Sequence, residues 1–221
     1  MISLQNRQNR LQYRQLVINQ HQYFYDHVFV DESSLLTRDF SKFDWIPLKR
    51  LAPKHMRTSH SSGVIVYGGI SRRGPTPFVI LPNTVRINER SYCNIVARTI
   101  YPFIRDTYNM NAFVVQDSAP FHVSHFTTAF FNRLGLRTTY FPPQSPDFNP
   151  IEYVWRAMKE FVRTRHPRTI DQLIAAIEEF CTTILTVEYC NTLIEQSRIN
   201  VIRSVDGLNW EGRKPTDVLY A

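Results

Sequence analysis

The chain has 221 residues, 43% hydrophobic and 13% aromatic, with a net charge of +7 and a sequence pI near 9.5. That is enough apolar material to bury a core, it excludes a disordered low-complexity chain, and the basic balance suits a polyanionic partner. The three cysteines (Cys93, Cys181, Cys190) lack metal-ligand spacing and argue for a reduced, intracellular setting, while the polar N-terminus and the lack of any long apolar run support neither secretion nor a membrane span.

Residues 1–25 are polar and rich in Arg and Gln, with Leu11 and Leu16 hinting at one short helix. Val28-Phe29-Val30 then reads as a buried strand that ends at Asp31 and so delivers a carboxylate to a sheet edge. Its neighbour Glu32 points to the opposite face by strand alternation, so only one of the two acids is expected to serve a site. The stretch to about His60 carries Arg38, Lys42, Lys49, Arg50, Lys54, His55 and Arg57. It reads as a basic flap along phosphates or, equally, as a solvated loop. Val64–Ile70 and Pro77–Leu81 form a hairpin around a Ser71–Pro75 turn, and the spacing of Tyr92, Ile95, Val96, Thr99, Ile100 and Phe103 predicts one helix over 89–104.

The apolar run Ala112–Val115 is too short for a helix and stops at Gln116-Asp117-Ser118, a second strand-end acid. Ser124 caps a helix carrying Phe126, Ala129, Phe130 and Leu134, Gly135 ends it, and Arg137–Phe141 forms a last strand. Asn149 and Pro150 suit the cap and first position of a helix whose apolar stripe is Ile151, Val154, Trp155, Met158 and Val162. Glu152 sits in its first turn, one step round from that stripe, and Asp147 reads as a structural residue bonding backbone near the Asn149 cap. Thr169–Gln172 has a capping-box pattern ahead of a helix with Leu173, Ile174, Ile177, Cys181 and Ile184 on one face. A further helix covers 187–201, and the tail beyond Asp206 is polar, with Trp210 and Lys214. This order predicts an α/β fold with a mixed sheet.

QDSAPFHVS, followed by PPQSPDFNPIEYVW and Lys159, closely resembles the catalytic core of the Tc/mariner superfamily of DDE transposases. Asp31-Glu32-Ser33 resembles the family's first-acid motif, the Val64–Ile70 strand and Gly74 turn also match, and the likeness runs from about Asn6 to about Ile184. The residue after the second acid departs from the family's usual Asn, being Ser118. The resemblance implies a ribonuclease-H-like fold, with a mixed five-stranded sheet flanked by helices. It also implies catalytic, metal-binding acids at Asp31, Asp117 and Glu152, holding two Mg²⁺ ions for which Mn²⁺ can substitute. The partners implied are DNA (transposon ends and target) and a second copy of the chain as a homodimer, in the nucleus.

Three segments are expected: a linker remnant over 1–25, a DDE catalytic domain over 26–185, and a C-terminal helical extension and tail over 186–221. The residues ahead of Asp31 are too few for a pair of helix-turn-helix units, so the chain reads as a catalytic domain without its sequence reader. The alternative is an inactive or truncated transposon-derived protein that only binds nucleic acid, and a weaker one is a nuclease acting on RNA–DNA hybrids.

Three acids suit phosphodiester chemistry, because magnesium takes hard oxygen ligands, keeps several waters and needs no His or Cys. Each acid also has a bland reading. Asp117 could start a turn, Glu152 could favour its helix dipole and pair with Arg156, and Asp31 could merely end a strand. His122 reads either as a contact to DNA or to a carboxylate, or as a structural histidine. With His125 it has zinc-like spacing but no further ligand pair. Arg156, Lys159, Arg163 and Arg165 lie on or near the Glu152 helix and read as phosphate contacts or as a solvated basic face.

Overall fold

The structure is a computed structural model that describes residues 3–37 and 62–204. The basic stretch 38–60 and the tail with Trp210 and Lys214 lie outside the described residues. Strand β1 (His27–Leu36) does not end at Asp31 but runs five residues further, antiparallel along its length to β2 (Gly63–Ser71), with Asp31 opposite Gly68 and Leu36 opposite Gly63. The polar run Asp31–Ser34 ended the predicted strand early, because ladder pairing rather than apolar character sustains it there. Alternation along β1 sends Phe29 and Leu35 into one core and Val28 and Val30 into the other. Asp31 and Glu32 therefore leave the strand on opposite sides.

Among the described residues the sheet has six strands, not the five expected. Both β3 (Gly74–Pro75) and β4 (Val79–Pro82) pair with the outer edge of β2, so one strand position is interrupted at Thr76-Pro77-Phe78. Pro77 has no N–H to give the ladder. Thr76 compensates, since its N–H donates to the Gly69 carbonyl and its hydroxyl oxygen accepts from the Gly69 N–H, both at 2.9 Å. On the other side of β1 lie β5 (Phe113–Val115) and β6 (Arg137–Thr138), parallel to it and to each other, and β6 stops short of Phe141. This mixed sheet, covered by helices, is a ribonuclease-H-like fold.

One helix layer, on the face toward which Asp31 points, comprises α1 (Leu4–Asn19), α5 (Pro150–Arg165), α6 (Ile170–Thr183) and α7 (Val187–Arg203). The other comprises α2 (Glu89–Arg98), α3 (Ile100–Tyr108) and α4 (His125–Leu134). The α5 stripe is buried as expected, from Ile151 through Val162. The helix expected over 89–104 is instead two, broken at Thr99 (φ −123°, ψ −64°). Pro102 cannot donate to the Arg98 carbonyl and its ring crowds that turn. In α4 the buried positions are Thr127 and Phe131, and Phe126 is 42% exposed, so the helix is rolled by one residue from the face expected. In α6, Ala176 and Phe180 join Leu173 and Ile177 in the core, while Ile184 is the exposed C-cap. No helix among the described residues is long and apolar enough to cross a membrane.

Candidate active site

Asp31 projects toward α5, where the Trp155 indole N–H donates to its Oδ2 at 3.0 Å. Burial pushes the Asp31 carboxyl up to about 7, and the negative charges of Glu152 and Glu32 push the same way. The Glu32 backbone N–H and Trp155 oppose the rise.

Asp117 lies two residues beyond β5. Its Oδ1 accepts from the His122 ring at Nδ1 (2.6 Å) and from the Ala119 N–H (2.9 Å). The bond from His122 holds its carboxyl below the usual carboxylate range. The other ring nitrogen of His122 stands 3.2 Å from Glu32 Oε1. Burial opposes charge on this imidazole, but the two carboxylates outweigh it and raise His122 to about 9, so it is an imidazolium donating to both. The ring is 3% exposed, wedged between Tyr92 (4.5 Å) and Phe121 (4.3 Å). His122 is thus buried and bonded to two carboxylates. Glu32 is thereby linked to Asp117 through the His122 ring and lines the same cleft as Asp31. Alternation does send the adjacent acids Asp31 and Glu32 to opposite faces, and His122, packed on Tyr92 and Phe121, meets Glu32 on the face away from α5.

Glu152, in the first turn of α5, is half-buried. Burial raises its carboxyl, the Lys159 charge lowers it, and the Asp117 charge raises it again. Asp31, Glu32 and Asp117 line one cleft of about 640 Å³, whose far wall is the Asn83–Ile87 loop with Arg86. Glu152 lies outside that lining, within range of the other acids' charges. The Arg86 loop carried no signal in the sequence, and Trp155 stood there only as a stripe and motif residue, with nothing to mark its N–H as a donor to Asp31.

The donor set fits a hard divalent cation in kind: oxygen ligands only, with two carboxyls pushed up by burial and like charge, the condition a cation relieves. Among the described residues, however, no three His, Cys, Asp or Glu side chains are drawn together closely enough to hold an ion. Asp117 commits Oδ1 to His122, and Asp31 is held by Trp155.

Arg156, Lys159 and Arg163 recur with Glu152 at helical spacing, on a stripe beside the buried one. Arg156 lies 5.7 Å over the Tyr153 ring and Arg163 pairs with Glu160, while Arg165 is bidentate to Glu179. The Glu152–Arg156 pair of the bland reading does not form among these contacts. Asp147 does not bond near the Asn149 cap but receives both guanidinium arms of Arg10.

Residues 26–174 match the family model for the DDE superfamily endonuclease. The Tcb1 transposable-element transposase of Caenorhabditis briggsae is 26% identical over 185 residues, covering 80% of this chain and 67% of its own. The Tcb2 transposase of the same species is 30% identical over 144 residues (62% and 52%), and the Tc1 transposase of Caenorhabditis elegans 29% over 140 (60% and 50%). The chain thus spans about half to two thirds of the length of these relatives. In fold it is similar to Mos1 mariner in its paired-end complex with Mn, at TM-score 0.78 and 14% identity over 94% of this chain and 64% of that one. The Mos1 catalytic domain alone superposes at TM-score 0.71 and 14% identity, with 94% and 96% covered. With well over half its length inside the family model and its acids carried on the matching fold, the chain belongs to the DDE superfamily endonucleases.

Proposed function

We propose that this chain is the catalytic domain of a Tc/mariner-type transposase, cutting DNA strands and joining the freed ends to target DNA. The observation that carries the reading is that Asp31 from β1 and Asp117 from just beyond β5 line one cleft, with Glu152 from α5 within range of the charge of both. In cleavage, a water oxygen bonds to phosphorus as the P–O3′ bond breaks, leaving a 3′-hydroxyl and a 5′-phosphate. In transfer, that hydroxyl attacks a target phosphodiester in the same way.

Asp31, Asp117 and Glu152 would hold two Mg²⁺ ions, or Mn²⁺ in their place, which supply the Lewis acidity that activates the attacking oxygen and offsets charge on the leaving one. His122 and Glu32 fix the direction of Asp117, and Trp155 fixes that of Asp31. Arg156, Lys159 and Arg163 on α5, with Arg86 across the cleft, take the phosphates of the bound strand. In this proposal the protein works in the nucleus as a homodimer on paired transposon ends.

The deciding experiment is nicking of supercoiled plasmid with Mg²⁺ or Mn²⁺, beside a chelator control and Asp117→Ala. Metal-dependent nicking that the variant loses supports the reading. A folded wild type that never nicks would overturn it and leave a transposon-derived nucleic-acid binder, and faster cleavage of RNA–DNA hybrid than of duplex DNA would point to a hybrid nuclease.

Arg86 is exposed on its loop, so Arg86→Ala should leave the melting temperature unchanged. It should weaken DNA binding several-fold at low salt and lower the slope of log affinity against log salt by about one. An unchanged slope in a titration from 50 to 200 mM salt, roughly the range where phosphate contacts register, would remove Arg86 from the interface.

A further inference from the structure

We propose that α1 is a strap that positions Glu152, with Arg10 as the positioning residue, acting through the loop between β6 and α5; the proposal rests on Glu152 being the third acid. Arg10 is fully buried, although it is charged. Its two terminal nitrogens donate to Asp147 Oδ1 and Oδ2 at 2.7 and 2.6 Å, and its guanidinium lies 3.8 Å over the Phe148 ring. One turn earlier, Asn6 donates to Gln144 Oε1 at 2.7 Å. One turn later, Tyr13 packs against Phe141 at 5.6 Å and stacks on Phe148 at 6.2 Å. Three successive turns of α1 therefore grip three points of one loop.

That loop has little of its own to fix it. Gln144 sits at φ +51°, the one regular piece is a single 3-10 turn at Pro146–Phe148, the Ser145 hydroxyl donates to the nearby Pro143 carbonyl at 3.1 Å, and Asn149 makes no side-chain cap to α5. From the far side, Ser197 donates to the Phe148 carbonyl at 2.5 Å and the Tyr153 hydroxyl donates to the Asp147 carbonyl at 3.0 Å. The start of α5, and hence the direction of Glu152, follows from where Asp147 is held.

Stability alone is a poor account of the pair. A buried ion pair costs about as much desolvation as it returns, and an apolar pair of the same volume commonly does as well. The Arg10 Nε–H, moreover, has no partner among the described residues. What a forked guanidinium adds is direction, because two parallel bonds to one carboxylate fix its plane and register. On this reading residues 4–19 belong to the catalytic unit rather than to a linker remnant.

The test uses the full chain with Arg10→Met, Asp147→Asn and the apolar pair Arg10→Met/Asp147→Leu, each with and without Glu152→Gln. Arg10→Met should lower Mn²⁺ affinity about tenfold, with no further loss in the Glu152→Gln background, as expected for residues acting through one another. Backbone amides at 151–154 should exchange several-fold faster, a metal-free readout of the first turn of α5. The apolar pair should recover the melting temperature without recovering Mn²⁺ affinity, a split that a merely structural role would not produce. Should Arg10→Met fail to fold, Arg10→Lys keeps the charge, loses the fork and serves the same readouts.

Equal losses of affinity with and without Glu152→Gln would overturn the strap, as would unchanged amide protection in Arg10→Met. If the wild type binds no Mn²⁺, the catalytic reading fails, while the exchange result still decides whether α1 holds α5.

Discussion

Asp31→Asn is expected to raise the melting temperature of the metal-free protein by about 5–10 °C at neutral to alkaline pH while abolishing strand cleavage. The Asp31 carboxyl is held at about 7 in the fold, chiefly by burial, against an ordinary value of 3.8. Its folded value lies above its unfolded one, so the folded state binds the proton more tightly. The penalty is absent below about pH 4, grows as pH rises, and is complete above about pH 7. It is bounded by about 4 kcal/mol, and partial hydration of the site brings the expected figure to about 2–3 kcal/mol. Asparagine removes the charge and keeps an oxygen for the Trp155 N–H.

The gain from the variant should therefore vanish near pH 4 and plateau above pH 7 in melting curves taken across that range. A difference independent of pH would show that Asp31 is not the strained group. Glu152→Gln should behave with the same sign, because burial raises that carboxyl too. His122 has the opposite sign: raised to about 9, it adds stability that is present below its ordinary value of 6.5 and is lost as pH climbs through 9. Divalent cation should restore part of the same stability to the wild type and little to Asp31→Asn, since a bound cation relieves the repulsion that the substitution has already removed.

The parts of this site that could be read in the sequence are those set by local rules. A buried run leading to an acid, a Pro at the first position of a helix and an apolar stripe at helical spacing place Asp117 just beyond β5 and Glu152 in the first turn of α5. Asp31 was legible as an acid, but not as a mid-strand residue, because β1 is sustained past it by pairing with β2, a partner distant in sequence. The interrupted third strand position depends on Thr76 replacing ladder bonds that Pro77 cannot make. That is a side-chain substitution for backbone, which no alternation pattern signals. The helix break at Thr99 was legible from Pro102 and was outweighed by the apolar spacing around it. Glu32, Arg10 and Asp147 were hidden for a common reason. Each finds its role in a partner 90 or more residues away, which only the packed tertiary structure supplies.

Gly68→Ala is expected to cost about 1–3 kcal/mol and to slow cleavage about tenfold or more, although Gly68 makes no contact with substrate in the proposed reaction. Gly68 stands opposite Asp31 in the β1–β2 register, and a Cβ placed on it would fall 2.6 Å from the Phe78 ring, which covers it. Phe78 in turn meets the Trp155 ring edge-on at 5.7 Å, and Trp155 donates to Asp31. A methyl group at 68 has to displace Phe78, which lies against the indole that aims the first acid. The displacement is therefore transmitted along Phe78 and Trp155 to the carboxylate.

Two further variants separate packing from aim. Phe78→Leu in the Gly68→Ala background makes room for the methyl, so most of the lost melting temperature should return. The aromatic edge on Trp155 is still missing, so cleavage should stay slow. Trp155→Phe keeps an aromatic face but removes the N–H together with part of the buried indole, leaving Asp31 without that donor; its carboxyl should rise further and its Mn²⁺ affinity fall, at a stability cost of about 1–3 kcal/mol. If Gly68→Ala melted and cleaved like the wild type, Phe78 would be free to swing away from Trp155. The aim of Asp31 would then not depend on the contact between Phe78 and Trp155.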